Sequence, residues 1–532
     1  MVLVIDNHVP LVAIPSLTSE LGASAQELQW ITDAHILINV PIAIVAGVAA
    51  LILVLAAAVL DILVIKGRST TAGAQPYKKS ASKRSRLETR HPSPTALRTP
   101  RGTSPSIHPT SLYGLREERP ALSTSTSREQ QRPTRSIWSG ENLTYKECTM
   151  SNSINARHER VQAALEQTVA GHDLVGIVAE VQDESGTWFG SAGVADLQSR
   201  RRREPGERFH PGSAGKAFTA AAMLTLEAEG RLSLDDTVEE WLPGVVRGNG
   251  NDGSKITIRH LHTHTSGLGI TGLDVDIVRK YHTRAGFSQH RFDVWTVDQL
   301  LKLQLAIPPM YAPGEDFAYC NGGYHIAGAI IEKVTGGSYQ DEVDRTVIRP
   351  LGLTGTYAPP LTEAGIRGPH PKVYSKQFIK DGVDPDSLTA DNYESFLEDP
   401  EADPVDVTDK TFFGWSAAGV ISTTGDMLRF TRALITGTLL PPAQHRAMWS
   451  TVPTRHWLPN TWYGTGVSKW ALADGRMLHV VAGVELGSAS VTLGTPDGEH
   501  MISIHTNSDR DWYAACNQIV EAAFGAPCLP PQ

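Results

Sequence analysis

Two short stretches of this sequence hold side chains able to open a carbonyl bond. Between Arg208 and Ala220, Pro211 and Gly212 break the chain, Ser213 follows, and Lys216 stands three residues later. Good helix formers continue to Gly230, which suits a helix end, so a helix is predicted whose N-terminus lies at or near Ser213. Free backbone N–H groups and the positive end of the helix dipole favour a developing negative charge there. Residues three apart share a helix face, so Ser213 and Lys216 project together. A serine hydroxyl is a poor nucleophile until a base takes its proton, and an amine desolvated in a pocket has its pKa lowered enough to serve. The spacing alone is weak, since Ser80 and Lys83 repeat it in a stretch without apolar periodicity. Strand and turn before Ser213, and a long apolar helix after it, mark the better candidate.

The second stretch is Tyr319-Cys320-Asn321, about a hundred residues on. Pro313 and Gly314 make a loop, and the helix begins only after Gly322-Gly323. A tyrosine on such a loop relays protons where a neighbouring cation lowers its pKa, and an asparagine two residues away can aim its amide the same way, at a substrate carbonyl. In isolation, a buried tyrosine with a capping asparagine is the plainer reading. Behind a Ser-x-x-Lys at this distance, the chemical reading is preferred.

With both stretches in place, the chain from about Ser153 to Pro527 resembles the serine β-lactamases and penicillin-binding proteins, of the class C type that includes D-alanyl-D-alanine carboxypeptidases and esterases. The likeness extends to LSLDDTVEEWLP from Leu232, the loop around His264-Thr265-Ser266-Gly267, SAAGVISTTGD from Ser416 and WYGTGVSKW from Trp462. It implies a β-lactamase-like fold and a two-step acyl transfer without a cofactor. Ser213 would be the nucleophile, Lys216 and Tyr319 would handle the proton, and Asn321 would orient the substrate. The backbone N–H groups of Ser213 and Val484 would form the oxyanion hole. His264 invites a catalytic role, but the resemblance implies a structural one.

The third motif departs from the family. Gly483 and Gly487 fit its glycine spacing, which puts Val481 where a Lys or His belongs. Valine can neither donate a proton nor attract a carboxylate. His479, about 7 Å along the strand on the same face, is the candidate partial substitute at the substrate site, although a strand histidine at the pocket edge is the preferred reading. The missing cation turns the expectation from penicillins and D-alanyl peptides toward small esters or amides. A catalytically weak penicillin-binding module is the alternative.

The elements that must carry these residues read as an α/β (α+β) unit over 150–532. Ala156–Val169 is amphipathic at helical spacing. Val175–Val181 and Trp188–Ala192 read as strands joined at Asp183-Glu184-Ser185-Gly186, and Met477–Ala482, Ala489–Leu493 and Met501–His505 as three more. Trp512–Phe524 closes the chain as a helix. Strands at both ends imply one antiparallel sheet flanked by helices and completed by both termini, and the middle, Ala217 to Leu440, reads as a mostly helical subdomain.

The 532 residues exceed one ordinary domain. Ile36–Ile65 is apolar except for Asn39 and Asp61 and is followed by Lys66 and Arg68, which predicts a transmembrane helix. Residues 1–65 resemble pieces of a major-facilitator drug exporter, a remnant too short to transport anything. Residues 66–149, rich in Ser, Thr, Pro, Arg and Lys, read as a disordered basic linker. Membrane attachment through 36–65 is expected if 1–149 are made, and a cytoplasmic enzyme if translation starts at Met150. The net charge of −9 gives no reason to expect nucleic acid. The partner implied is a small-molecule or short-peptide substrate. No Cys/His cluster has metal-ligand spacing, so no structural zinc is expected. Among the four cysteines, Cys516 and Cys528 are near enough in sequence to pair.

Overall fold

A computed structural model of the chain describes residues 141–528 apart from 271–273, 390, 391, 400, 456 and 459. The span expected at 36–65, the transporter-like stretch 1–65 and the linker up to residue 140 lie outside the described residues. Among the described residues no helix is long and apolar enough to cross a membrane.

The first helix, α1 (Glu141–Gly171), starts before its apolar stripe does and takes in residues 141–149 of the expected linker. A hairpin follows, β1 (Gly176–Asp183) and β2 (Gly186–Gly193), tightened where Asp183 Oδ1 accepts the Ser185 N–H at 2.9 Å. The other six strands lie far along the chain: β3 (Val452–Pro453), β4 (Thr461–Tyr463), β5 (Ser468–Ala471), β6 (Met477–Glu485), β7 (Ser488–Gly494) and β8 (Met501–Thr506). They form one sheet in the order β2-β1-β8-β7-β6-β5-β4-β3, with antiparallel pairing throughout. Pairing of Ile177 with Thr506 and of Gln182 with Met501 joins the two ends of the domain, as the residue pattern predicts.

Alternation along β1 sends Ile177, Ala179 and Val181 to one face. There they meet Val161 and Leu165 of α1 and Ile519, Val520 and Phe524 of the closing helix. On the other side lies a second apolar cluster around α2 (Gly215–Ala228), where Phe218, Met223 and Leu224 pack with Ile326 and Ile330 of α3 (Asn321–Thr335) and with Phe430 and Leu434 of α4 (Thr424–Thr436). Gly215 to Leu224 is buried without interruption, which marks α2 as a central helix surrounded on all sides. The closing helix, α5, spans Trp512–Phe524.

Three features differ from the sequence reading. The edge strands β3, β4 and β5 carry too few residues for a period of two to show. The middle contains two two-stranded sheets, Arg247–Gly248 with Asn251–Asp252 and Tyr374–Ser375 with Val405–Asp406. Cys516 and Cys528 are buried free thiols and are not joined.

Candidate active site

Ser213 sits in a single 3-10 turn, Gly212–Ala214, that runs into α2. The turn lies against β6 beyond Val480, where β5 stops pairing. Approach here is backbone to backbone. Gly212 has φ +58°, and a Cβ on it would stand 2.6 Å from the Val484 carbonyl carbon; a Cβ on Gly483 would stand 2.3 Å from both Pro211 O and Ser213 N. The two glycines therefore bring the Ser213 turn and the Val484 peptide to the same place.

One turn beyond Ser213, as the second residue of α2, Lys216 has a fully buried side chain. Its Nζ lies 3.3 Å from Ser213 Oγ and donates to Asn321 Oδ1 at 2.7 Å and to the Ala417 carbonyl at 2.8 Å. Burial pulls its pKa down to about 7, with Cys320 and the Glu485 carboxylate pulling the other way. A neutral amine has two N–H bonds and one lone pair. Both acceptors take a hydrogen, so the lone pair is left for Ser213.

The Tyr319 phenol shares a small cavity wall with Ser213, whose hydroxyl acts to lower its pKa. Its ring stacks on Trp457 at 4.9 Å, and Lys216 Nζ lies 4.8 Å from the ring centre. Its pKa lies well above the ordinary value, first through burial and next through Tyr463, with the Ser213 contact opposing. The expectation of a phenol acidified by a neighbouring cation fails: desolvation by burial is the largest influence on its pKa, and it raises it. Burial thus favours the protonated phenol.

His264 explains how Tyr319 is held. Its φ is +57°, it is buried, its carbonyl accepts the Ala318 N–H at 2.9 Å, and its Nδ1 accepts the Cys320 N–H at 3.1 Å. It thus clamps the peptide on both sides of Tyr319. Burial holds its pKa well below the usual value, consistent with a neutral acceptor ring.

Two cavities open at Ser213. The larger, about 240 Å³, is bounded by Asn321, Val484, Glu485, Lys410, Tyr281 and Phe412; the smaller, about 30 Å³, by Tyr319, Trp457, Tyr463, Gly483 and Val484. His479 lines neither. It packs edge-on against Trp449 at 4.1 Å, with its pKa lowered by burial to about 4. Val481 is 1% exposed and belongs to the apolar cluster around α2. The structure therefore gathers Ser213, Lys216, Tyr319, Asn321, Gly483 and Val484 and leaves His479 apart. Residues missed from the sequence are the Ala417 carbonyl, Trp457 and the charged pair Lys410 and Glu485. Ala417 lies inside the SAAG segment, which was the only available signal for it. Among the described residues no cluster of three or more His, Cys, Asp or Glu side chains could hold a metal ion.

Residues 161–518 match the protein family described as Beta-lactamase. Among solved structures, a D-stereospecific amidohydrolase from Streptomyces is 36% identical, with 69% of this chain and 98% of that one covered and a TM-score of 0.60. A D-amino acid amidase from Ochrobactrum anthropi shares the fold at 20% identity, covering 69% and 99%, with a TM-score of 0.56. Esterase EstB of Burkholderia gladioli is 34% identical over 199 residues, 36% of this chain and 50% of the relative. A penicillin-binding protein of Bacillus subtilis is 27% identical over 304 residues, 56% of this chain and 60% of the relative. The chain thus spans between half and three-fifths of the length of these two curated relatives.

Proposed function

We propose, on the premise that this chain belongs to the β-lactamase family, that it is a serine hydrolase that cleaves small amides and esters through an acyl-enzyme. One observation carries the reading: the Lys216 amine is fully buried, its pKa is pulled down to about 7, and its Nζ stands within reach of Ser213 Oγ, Asn321 Oδ1 and the Ala417 carbonyl, so that in its neutral form two acceptors take its hydrogens and the lone pair is left for Ser213.

The steps follow from that geometry. Ser213 Oγ passes its proton to Lys216 as it attacks the carbonyl carbon. The oxyanion rests on the N–H groups of Ser213 and Val484, aided by the N-terminal end of α2. Tyr319 gives its phenol proton to the leaving group and is reprotonated from Lys216. Water then releases the acyl group along the same relay in reverse. Asn321 acts first through Lys216, with its Nδ2 left to face the substrate. No cofactor takes part.

Three considerations favour small amides and esters. A cavity of about 240 Å³ is smaller than the ~300–1,000 Å³ typical of drug-sized ligand sites. Val481 points into the apolar core, so the third motif offers no cation to a free carboxylate. The relatives at 36% and 34% identity are an amidohydrolase described as D-stereospecific and an esterase, which supports D-configured acyl groups as first choices. The same loss of cation favours a second reading, a module that is acylated and turns over poorly.

The test is a fluorophosphonate probe with a panel of p-nitrophenyl esters, D- and L-aminoacyl p-nitroanilides and a chromogenic cephalosporin. Ser213→Ala is expected to lose labelling and several orders of magnitude in rate, as nucleophile removals do. Labelling that survives the substitution would refute the assignment. Acylation without multiple turnovers on every substrate would decide for the second reading.

A further inference from the structure

The larger cavity brings charged groups to the acyl side of Ser213, and most of them are already engaged. Arg291 donates to the carbonyls of Asp409 at 2.5 Å and Asp406 at 3.3 Å, and its guanidinium lies over the Phe287 ring. Asp509 accepts from Ser375 Oγ at 2.6 Å, the Gly487 N–H at 2.8 Å and the Lys376 N–H at 3.3 Å. Lys410 donates to the carbonyls of Val407 and Leu486, both at 3.2 Å, and its third direction is toward Glu485, 4.0 Å away. Two N–H bonds of that ammonium are engaged and its charge is paired with Glu485, so it is poorly placed to take over the role of the missing third-motif cation.

Glu485 is different. It ends β6 next to Val484, it lines the cavity, and it pairs with Lys410 at 4.0 Å; burial raises its pKa, with Lys410 and the Leu486 N–H opposing and Asp509 adding to the rise. A carboxylate accepts about four hydrogen bonds. Glu485 shares that cavity wall with Ser213 and Val484. Where the resemblance implies a cation, this chain turns a valine into the core; two peptides from Gly483 it offers a carboxyl group instead. Tyr281 and Phe412 supply apolar wall in the same cavity.

We infer that Glu485 recognises the acyl group by binding an ammonium on the carbon next to the scissile carbonyl, so that preferred substrates are aminoacyl amides and esters with a free amine. This rests on the acyl-enzyme reading and names the substrate class of that site. Apolar walls beside the carboxylate accept the amino-acid side chain, and burial of the ion pair with Glu485 in a partly desolvated cavity strengthens it.

The experiment compares D-alanyl, N-acetyl-D-alanyl and propionyl p-nitroanilides, which differ only at the amine. Wild type is expected to prefer the free amine over both others in kcat/KM by roughly tenfold or more, the scale of a hydrogen bond to a charged group. In Glu485→Gln the ratio of D-alanyl to propionyl is expected to fall by about the same factor. If that variant does not fold, the N-acetyl arm on wild type still decides, because acetylation removes the charge from the substrate. Equal use of all three substrates, a ratio unchanged in Glu485→Gln, or no turnover with Ser213 still labelled by fluorophosphonate would each overturn this inference alone. No turnover together with no labelling would overturn the acyl-enzyme reading and this inference with it.

Discussion

Replacing Gly483 by alanine tests the site with a single carbon. The added Cβ would stand 2.3 Å from Pro211 O and from Ser213 N, and 2.4 Å from Ala214 N. Ordinary contact begins near 3.4 Å, so β6 and the turn must part by about 1 Å. All three obstacles are backbone atoms of a turn fixed by the buried α2, and no rotamer relieves them. The parting falls between Ser213 and the adjacent Val484 peptide. A misplacement of that size costs roughly 10²-fold in rate, and loss of one oxyanion donor costs about 10²–10³-fold in kcat. We expect kcat on a p-nitrophenyl ester to fall roughly 10²-fold with KM little changed, and fluorophosphonate labelling to slow in step. Overpacking should also cost about 1–3 kcal/mol of stability, read as a lower Tm. Gly171→Ala is the control, since nothing lies within 4 Å of its added Cβ. A Gly483→Ala enzyme with wild-type kcat and labelling rate would show that the Val484 peptide does not serve the oxyanion.

Two further perturbations separate the proton carriers. Lys216 must be neutral to accept the Ser213 proton, and its pKa lies at about 7; kcat/KM is therefore expected to fall as pH drops below about 7 and to level off above it. A profile that is flat through this range, or that rises on acidification, would remove Lys216 as the base. Tyr319→Phe keeps the ring stacked on Trp457 but removes the proton donor. It should lower kcat on amides by about 10²–10⁴-fold, and much less on p-nitrophenyl esters, whose leaving group needs no proton, with Tm retained. Equal losses on both substrate types would refute its role as the donor.

Much of the frame was legible because its signals are local. Turn residues at Asp183–Gly186, Gly487 and Pro496-Asp497-Gly498 located the strands, and the final helix is read at its observed bounds, Trp512–Phe524. The edge strands escaped because β3 has two residues and β4 three, too few to show a period. The start of α1 escaped because backbone hydrogen bonding carries a helix through polar residues that leave no apolar stripe. His264 shows the same divide within the site: its residue type suggests chemistry and the resemblance a structural role, and the fold supplies the contact, a ring that accepts the Cys320 N–H.

Residue types and spacing alone determined that a serine and a lysine share a helix face and that a tyrosine and an asparagine wait on a loop before another helix. Those facts follow from a 3.6-residue turn and from glycine and proline as breakers, which act within a few positions. Tertiary structure decided what each group is. Burial, not a neighbouring charge, sets the Lys216 amine near neutrality and keeps the Tyr319 phenol protonated. The Ala417 carbonyl, 201 positions away, fixes where the amine's lone pair points. Desolvation and hydrogen-bond direction depend on atoms brought together from distant parts of the chain, and no local pattern encodes them.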